Sequence, residues 1–293
     1  MSELSVTFSP LELELPQEPE VSASAAQRRQ EVPKTKARRV ISERGITLLT
    51  VAGLLGLWWL ASALALVPPL FLPSPLAVLG KFKAVALDGF VDATLWQHAA
   101  TSVARVFAAL LLAIASAIPV GILIGLSSRA RAVFDPLIEF YRPIPPLAYL
   151  PLIVIWFGIG ELSKVLLIYL AIFAPLAIAT LHGVRRVDQN RLRAARSLGA
   201  SRWQLVRFVI LPSALPDVLT GIRIGLGVGW STLVAAELIA ATRGLGFMIQ
   251  SAAQFLVTDV VIMGILVIAL IASGFEYGLR WLQRKYVPWE GRA

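Results

Sequence analysis

Residues 46–67 form a run of 22 residues without a charge. As a helix rising 1.5 Å per residue, the run spans about 33 Å, enough to cross a hydrocarbon core of about 30 Å. No other feature constrains the fold as strongly, because the run recurs. Comparable apolar stretches lie at about 102–126, 133–157, 164–183, 218–241 and 257–278. Of the 293 residues, 57% are hydrophobic and 15% charged, whereas ordinary soluble domains carry about 25% charged residues. The core of a soluble domain of this length has too few positions for that surplus. The pattern therefore predicts an all-α polytopic membrane protein with about six transmembrane helices.

The third stretch contains Pro143, Pro145, Pro146 and Pro151. Proline removes a backbone donor and clashes with the preceding turn, so this span is expected to kink, with its freed carbonyls facing protein or a cavity. Two shorter helices, 75–90 and 245–255, are expected outside the membrane core. Residues 1–44 are acidic at 12–20 and basic at 28–44. They cannot bury a core and read as a disordered cytoplasmic tail, preceding a transmembrane domain over 45–293.

The charges orient the spans. The chain has 27 Lys and Arg against 18 Asp and Glu, a formal net charge of +9. With six spans, every Lys and Arg except Lys81, Lys83, Arg105, Arg142, Lys164, Arg223 and Arg243 falls in the segments 1–45, 127–132, 184–217 and 279–293. The positive-inside rule makes that side cytoplasmic and places both termini there. The basic excess then expresses topology, and nucleic acid is not expected as a partner.

Several chemistries lack their residues. Residues 158–164 (GIGELSK) have the wrong spacing for a phosphate-binding G-x-x-x-x-G-K-[ST] loop and read as a helix connection. There is no cysteine, and His98 and His182 fall on opposite predicted faces, so no metal site is expected. Ser201 lacks the second glycine of a nucleophile elbow. Paired catalytic residues for an intramembrane enzyme are missing, as are the inverted repeats and midplane cation site of an ion-driven transporter.

The loop at about 184–212 is too ordered to be a simple turn. Residues 193–198 favour a helix, Gly199 can end it with a positive φ, and Ser201 can cap a second helix running to Leu211 before Pro212. Leu192, Leu198, Trp203, Leu205 and Phe208 are expected to project between basic residues. Such a surface suits either a soluble partner or an anionic lipid surface.

Ala194-Ala195, three residues, Gly199, nine residues, Val209, one residue and Leu211-Pro212 resemble the E-A-A-x3-G-x9-I-x-L-P signature of ABC importer permeases. Arg193 stands at the Glu position and Val209 at the Ile position. The segments GIRIGLGVGW at 221–230 and AAELIAATRGLG at 235–246 are similar to the nitrate, sulfonate and taurine group. FYRPIPPLA at 140–148, IWFGIG at 155–160 and DATLWQH at 92–98 bring the resemblance nearest to the taurine permeases.

The resemblance implies a type I importer permease fold in a bacterial inner membrane, carrying taurine or a related sulfonate. Alkanesulfonate, nitrate, bicarbonate and a thiamine-precursor pyrimidine are alternatives. It implies a second permease copy, two ATP-binding subunits and a periplasmic solute-binding protein. ATP and Mg would bind to the partner ATPase, with no cofactor on this chain. The coupling residues carried over are Ala194, Ala195, Arg196, Ser197, Leu198, Gly199, Ala200, Ser201, Leu211 and Pro212.

Candidates for the translocation path are Arg142, Arg223, Gly225, Gly229 and Glu237. Gly221, Gly225 and Gly229 form a small-residue stripe that permits close helix approach, within the subunit or across to a second copy. Glu237 either faces protein or water within the span, or lies at the outer interface paired with Arg243. Glu139 and Arg142, at i and i+3, are placed to pair.

Overall fold

The computed structural model describes residues 43–287. The chain divides into two compact units, Met1–Leu54 and Leu55–Ala293. The tail expected over 1–44 lies outside the described residues except for its last two, which begin the first helix. That helix, α1, runs Glu43–Ala63 and ends four residues before its expected limit, ahead of Pro68-Pro69.

The elements that follow are α2 (Pro75–Leu87), α3 (Leu95–Leu126), α4 (Ser128–Tyr141), α5 (Pro146–Phe157), α6 (Glu161–Arg185) and α7 (Gln189–Ser197). The chain continues through α8 (Arg202–Gln204), a π-helical turn (Leu205–Ile210), α9 (Leu211–Ala240), α10 (Leu245–Gln254) and α11 (Thr258–Tyr286). Among the described residues, five helices are long and apolar enough to cross a membrane, or six if α4 and α5 together make one span.

Capping sets several boundaries. Thr94 accepts from the Gln97 amide while the Gln97 side chain accepts from the Thr94 amide. This reciprocal cap starts α3 seven residues before the apolar run and puts His98 inside the helix. Ser74 caps α2, with Pro75 in its first turn, where proline's missing donor costs nothing.

The third expected span is not one kinked helix. α4 and α5 meet at a 102° bend. Residues 142–145 (RPIP) hold Pro143 and Pro145, and no helix continues through prolines at that spacing. Single prolines inside α3 (Pro119), α6 (Pro175) and α9 (Pro216) leave those helices continuous.

The core is built around α6, which packs against α3 on one side and α9 on the other. Leu167, Ile168, Ile172, Leu176 and Ala177 of α6 are fully or almost fully buried. Helices approach this closely in a membrane where small residues let backbones meet. On α3, Gly121 abuts the Ala177 carbonyl and Thr180, and Gly125 abuts Val184. On α9, Gly221 abuts Ala179, while Gly225 and Gly229 lie against Ile172. A second cluster joins Val78 and Val85 of α2 to Met248 of α10 and Val260 and Met263 of α11.

Candidate functional site

The segment between α6 and α9 folds as its pattern predicts up to Leu205. Gly199 has φ +80°. Its amide donates to the Arg196 carbonyl, and the Ala200 amide donates to the Ala195 carbonyl. These two bonds form a Schellman motif, which stops α7 and satisfies its last carbonyls. Ser201 restarts the helix by accepting from the Gln204 amide at 3.3 Å, while its own amide donates to the Gln204 side chain at 2.7 Å. The Ala-Ala-x3-Gly spacing is thus a helix stop followed at once by a helix start.

Two expectations for this segment need correction. The second helix does not end before Pro212 but passes into α9, giving one helical rod over Arg202–Ile239. Pro212 cannot donate to the Phe208 carbonyl, and its ring crowds that carbonyl. The π-turn at Leu205–Ile210, where the Leu211 amide bonds to the Val206 carbonyl, absorbs the mismatch. In addition, not all the bulky apolar residues project. Leu198 (89% exposed), Trp203 (67%) and Phe208 (66%) do, whereas Leu205 is buried and Leu192 packs inward beside Val184, Val187, Ile210 and Ala214.

At the opposite end of α6 lies a largely buried polar network, exposed at Glu161, that the sequence revealed only in fragments. His98, Ser102 and Arg105 lie on one face of α3, at i, i+4 and i+7. The Arg105 guanidinium grips Glu161 bidentately, through Nε and Nη2 at 2.6 Å each. Its Nη1 donates to Glu237 at 2.6 Å and to the Arg243 carbonyl at 2.7 Å. Lys164 donates to Glu161 at 2.9 Å. The Ser102 hydroxyl donates to Glu237 and accepts from the Leu245 amide at 2.8 Å. The Gly246 amide donates to Glu237 at 2.8 Å.

His98 completes the network. Its Nδ1 accepts from the Gly244 amide at 3.1 Å, so the ring proton sits on Nε2, which donates to the Phe90 carbonyl at 2.9 Å. Two cations and two anions balance, and the carboxylate of Glu237 is enclosed by donors from three directions. Such satisfaction is what allows ionised groups to be buried.

The path candidates separate accordingly. Glu237 is 0% exposed, and its partner is the Arg105 side chain rather than that of Arg243. Gly225 and Gly229 are covered by Ile172 of the same chain, so the glycine stripe serves packing within the subunit. These three are buried within the chain. Arg142 is exposed at the α4–α5 bend and forms no ion pair with Glu139. Arg223 faces a cleft between α9 and α11, where it binds Glu276 at 2.6 Å.

Several apolar helices long enough to cross a membrane, with an exposed helix-turn-helix between two of them, suit a membrane permease. Residues 117–287 match the family described as "Binding-protein-dependent transport system inner membrane component". The chain belongs to that family: it is the multi-pass inner-membrane permease of a multi-subunit transport system, not an enzyme.

Among its relatives is the taurine transport system permease protein TauC of Escherichia coli K12, 64% identical over 249 residues, covering 85% of this chain and 90% of that protein. The putative aliphatic sulfonates transport permease SsuC of Bacillus subtilis 168 is 37% identical over 265 residues, covering 88% and 95%. An inward-facing structure of the MetNI methionine ABC transporter shares the fold. Its TM-score is 0.60 at 16% identity, over 68% of this chain and 100% of that one.

Proposed function

We propose that this chain forms the translocation path for taurine or a closely related sulfonate in an ATP-driven importer. The observation that carries this reading is the 64% identity to a taurine permease across most of the chain. A second permease copy, two ATP-binding subunits that hold ATP and Mg, and a periplasmic solute-binding protein complete the assembly. Both termini and the α6–α9 loop lie in the cytoplasm, as the distribution of basic residues indicates.

In this reading the turn over Arg196–Ser201 docks in the ATPase, with Leu198 and Trp203 as its apolar contacts. Ala194, Ala195, Gly199 and Ala200 set its shape, and Leu211 and Pro212 join it to α9. Because the rod is continuous from Arg202, a displacement of the docked turn moves α9 directly. A lever of this kind biases inward- and outward-open states only through contacts that differ between them. Of the path candidates, Arg142 and Arg223 carry the positive charge to attract an anionic solute.

Cells with and without this subunit, given labelled taurine, alkanesulfonates and nitrate, test the assignment. Taurine uptake is expected to require the subunit. Uptake of longer alkanesulfonates in place of taurine supports the second reading, favoured by the 37% identity to an aliphatic sulfonate permease. Nitrate uptake alone overturns both.

A further inference from the structure

Charged side chains at membrane depth are costly and are retained where they contact one another, water or a ligand. α9 and α11 place three charged side chains together, Arg223 within its span and Glu276 and Arg280 near the end of theirs. Arg223 lies about 25 Å along α9 from its end at Ala240, and Glu276 about 27 Å along α11 from its start at Thr258. Arg223 donates through Nε (3.0 Å) and Nη2 (2.6 Å) to Oε1 of Glu276, and Arg280 donates to that same oxygen through Nε at 2.8 Å. A structural ion pair needs one cation for one anion. Here there are two, so one positive charge is left over, and the terminal amino groups of Arg280 have no partner among the described residues.

The surroundings are shaped to receive something. The three charges border a cleft of about 380 Å³, within the range of small-ligand sites. Its wall includes Trp230 and Phe275, with rings 5.9 Å apart. Trp230 is 6% exposed, yet its indole N–H has no hydrogen-bond partner. Gly227, also on the wall, has open space where a Cβ would stand.

An uncompensated guanidinium charge, uncommitted donors and an adjoining apolar wall suit a group with several acceptor oxygens, one negative charge and a short apolar stem. We propose that the cleft between α9 and α11 binds a tetrahedral oxyanion, sulfonate or phosphate, through Arg280 and Arg223, with its stem against Trp230 and Phe275. The anion comes either from the transported solute or from an anionic phospholipid headgroup. The site deepens the sulfonate-importer reading and rests on it only for the choice of solute.

The test uses the assembled transporter in nanodiscs of phosphatidylcholine alone. Binding of labelled taurine and ethanesulfonate is measured on the wild type, on Arg280→Gln and Glu276→Gln, and on Lys285→Gln as a charge control outside the cleft. Native mass spectrometry of detergent-purified complexes scores retention of phosphatidylglycerol. Arg280 is half-exposed and its bond to Glu276 is an i,i+4 surface pair, so its loss should leave assembly intact.

Arg280→Gln is expected to weaken binding about tenfold or more, the loss of one charge-assisted contact. Glu276→Gln should bind ethanesulfonate at least as tightly as the wild type, and Lys285→Gln should match it. Sulfonate binding that depends on Arg280 assigns the cleft to the solute. Phosphatidylglycerol retention that depends on Arg280, without sulfonate binding, assigns it to lipid. If neither ligand binds the wild type, or Arg280→Gln binds as the wild type does, the site is overturned. Taurine uptake with such a result leaves the importer reading standing, whereas Arg280-dependent binding without taurine uptake sinks that reading and keeps the site.

Discussion

Glu237 closes α9 with a carboxylate that Arg105, Ser102 and the Gly246 amide share. Removing one partner of a buried pair leaves a charge with no compensation, at a cost of about 3–5 kcal/mol. Arg105→Met is therefore expected to lower the thermal stability of the solubilised complex sharply. Arg105→Met combined with Glu237→Met should cost less than the two single changes summed, because neither charge is then stranded. Additive losses in that double-mutant cycle would mean that the pair is not coupled. Gly244 has φ +136° and a Cβ there would collide with the Glu237 carboxylate, so Gly244→Ala should lower the melting temperature of the solubilised complex. The i, i+4, i+7 spacing of the three α3 positions is visible in the sequence, although nothing there singles it out as a polar face. Their partner at 237 is not visible there, because a hydrogen bond across 132 residues depends on where the chain returns.

At the scale of elements, the loop between α6 and α9 was the most legible, since a Schellman stop and a serine cap are local hydrogen-bond patterns written in adjacent residues. Gly199→Val forces a β-branched residue into the left-handed region, at a cost of about 1–2 kcal/mol. It should distort the turn without unfolding α7 or α9. The expected outcome is an assembled complex, judged by size-exclusion chromatography, with reduced transport-coupled ATP hydrolysis in reconstituted vesicles. Wild-type coupling would show that the turn does not transmit the signal. The α4–α5 bend and the π-turn were harder to read. Proline marks a conflict with the helix, but whether the chain breaks, kinks or inserts a residue is set by the surrounding packing. Pro119 and Pro175 leave their helices whole, whereas residues 142–145 break theirs.

For the whole molecule, orientation is open to direct measurement because the natural chain has no cysteine. Arg129→Cys and Asp92→Cys place single thiols at exposed positions on opposite predicted sides. A membrane-impermeant maleimide should label position 92 in intact spheroplasts and position 129 only in inverted vesicles. The reverse pattern would invert the topology and remove the basis for a cytoplasmic α6–α9 loop. By itself the sequence determined the helical class, the approximate number of spans, the segments in which the basic residues gather and the stop-start turn after α6. Each of these follows from hydropathy, charge or capping within a few turns of chain. Only the tertiary structure decided that α6 sits between α3 and α9, that the glycine stripe of α9 packs on α6, and that Glu237 is buried among hydrogen-bond donors while Arg223 borders an open cleft. In a membrane the burial of a charge is settled by which helices meet and at what depth, and those are properties of the whole chain's path.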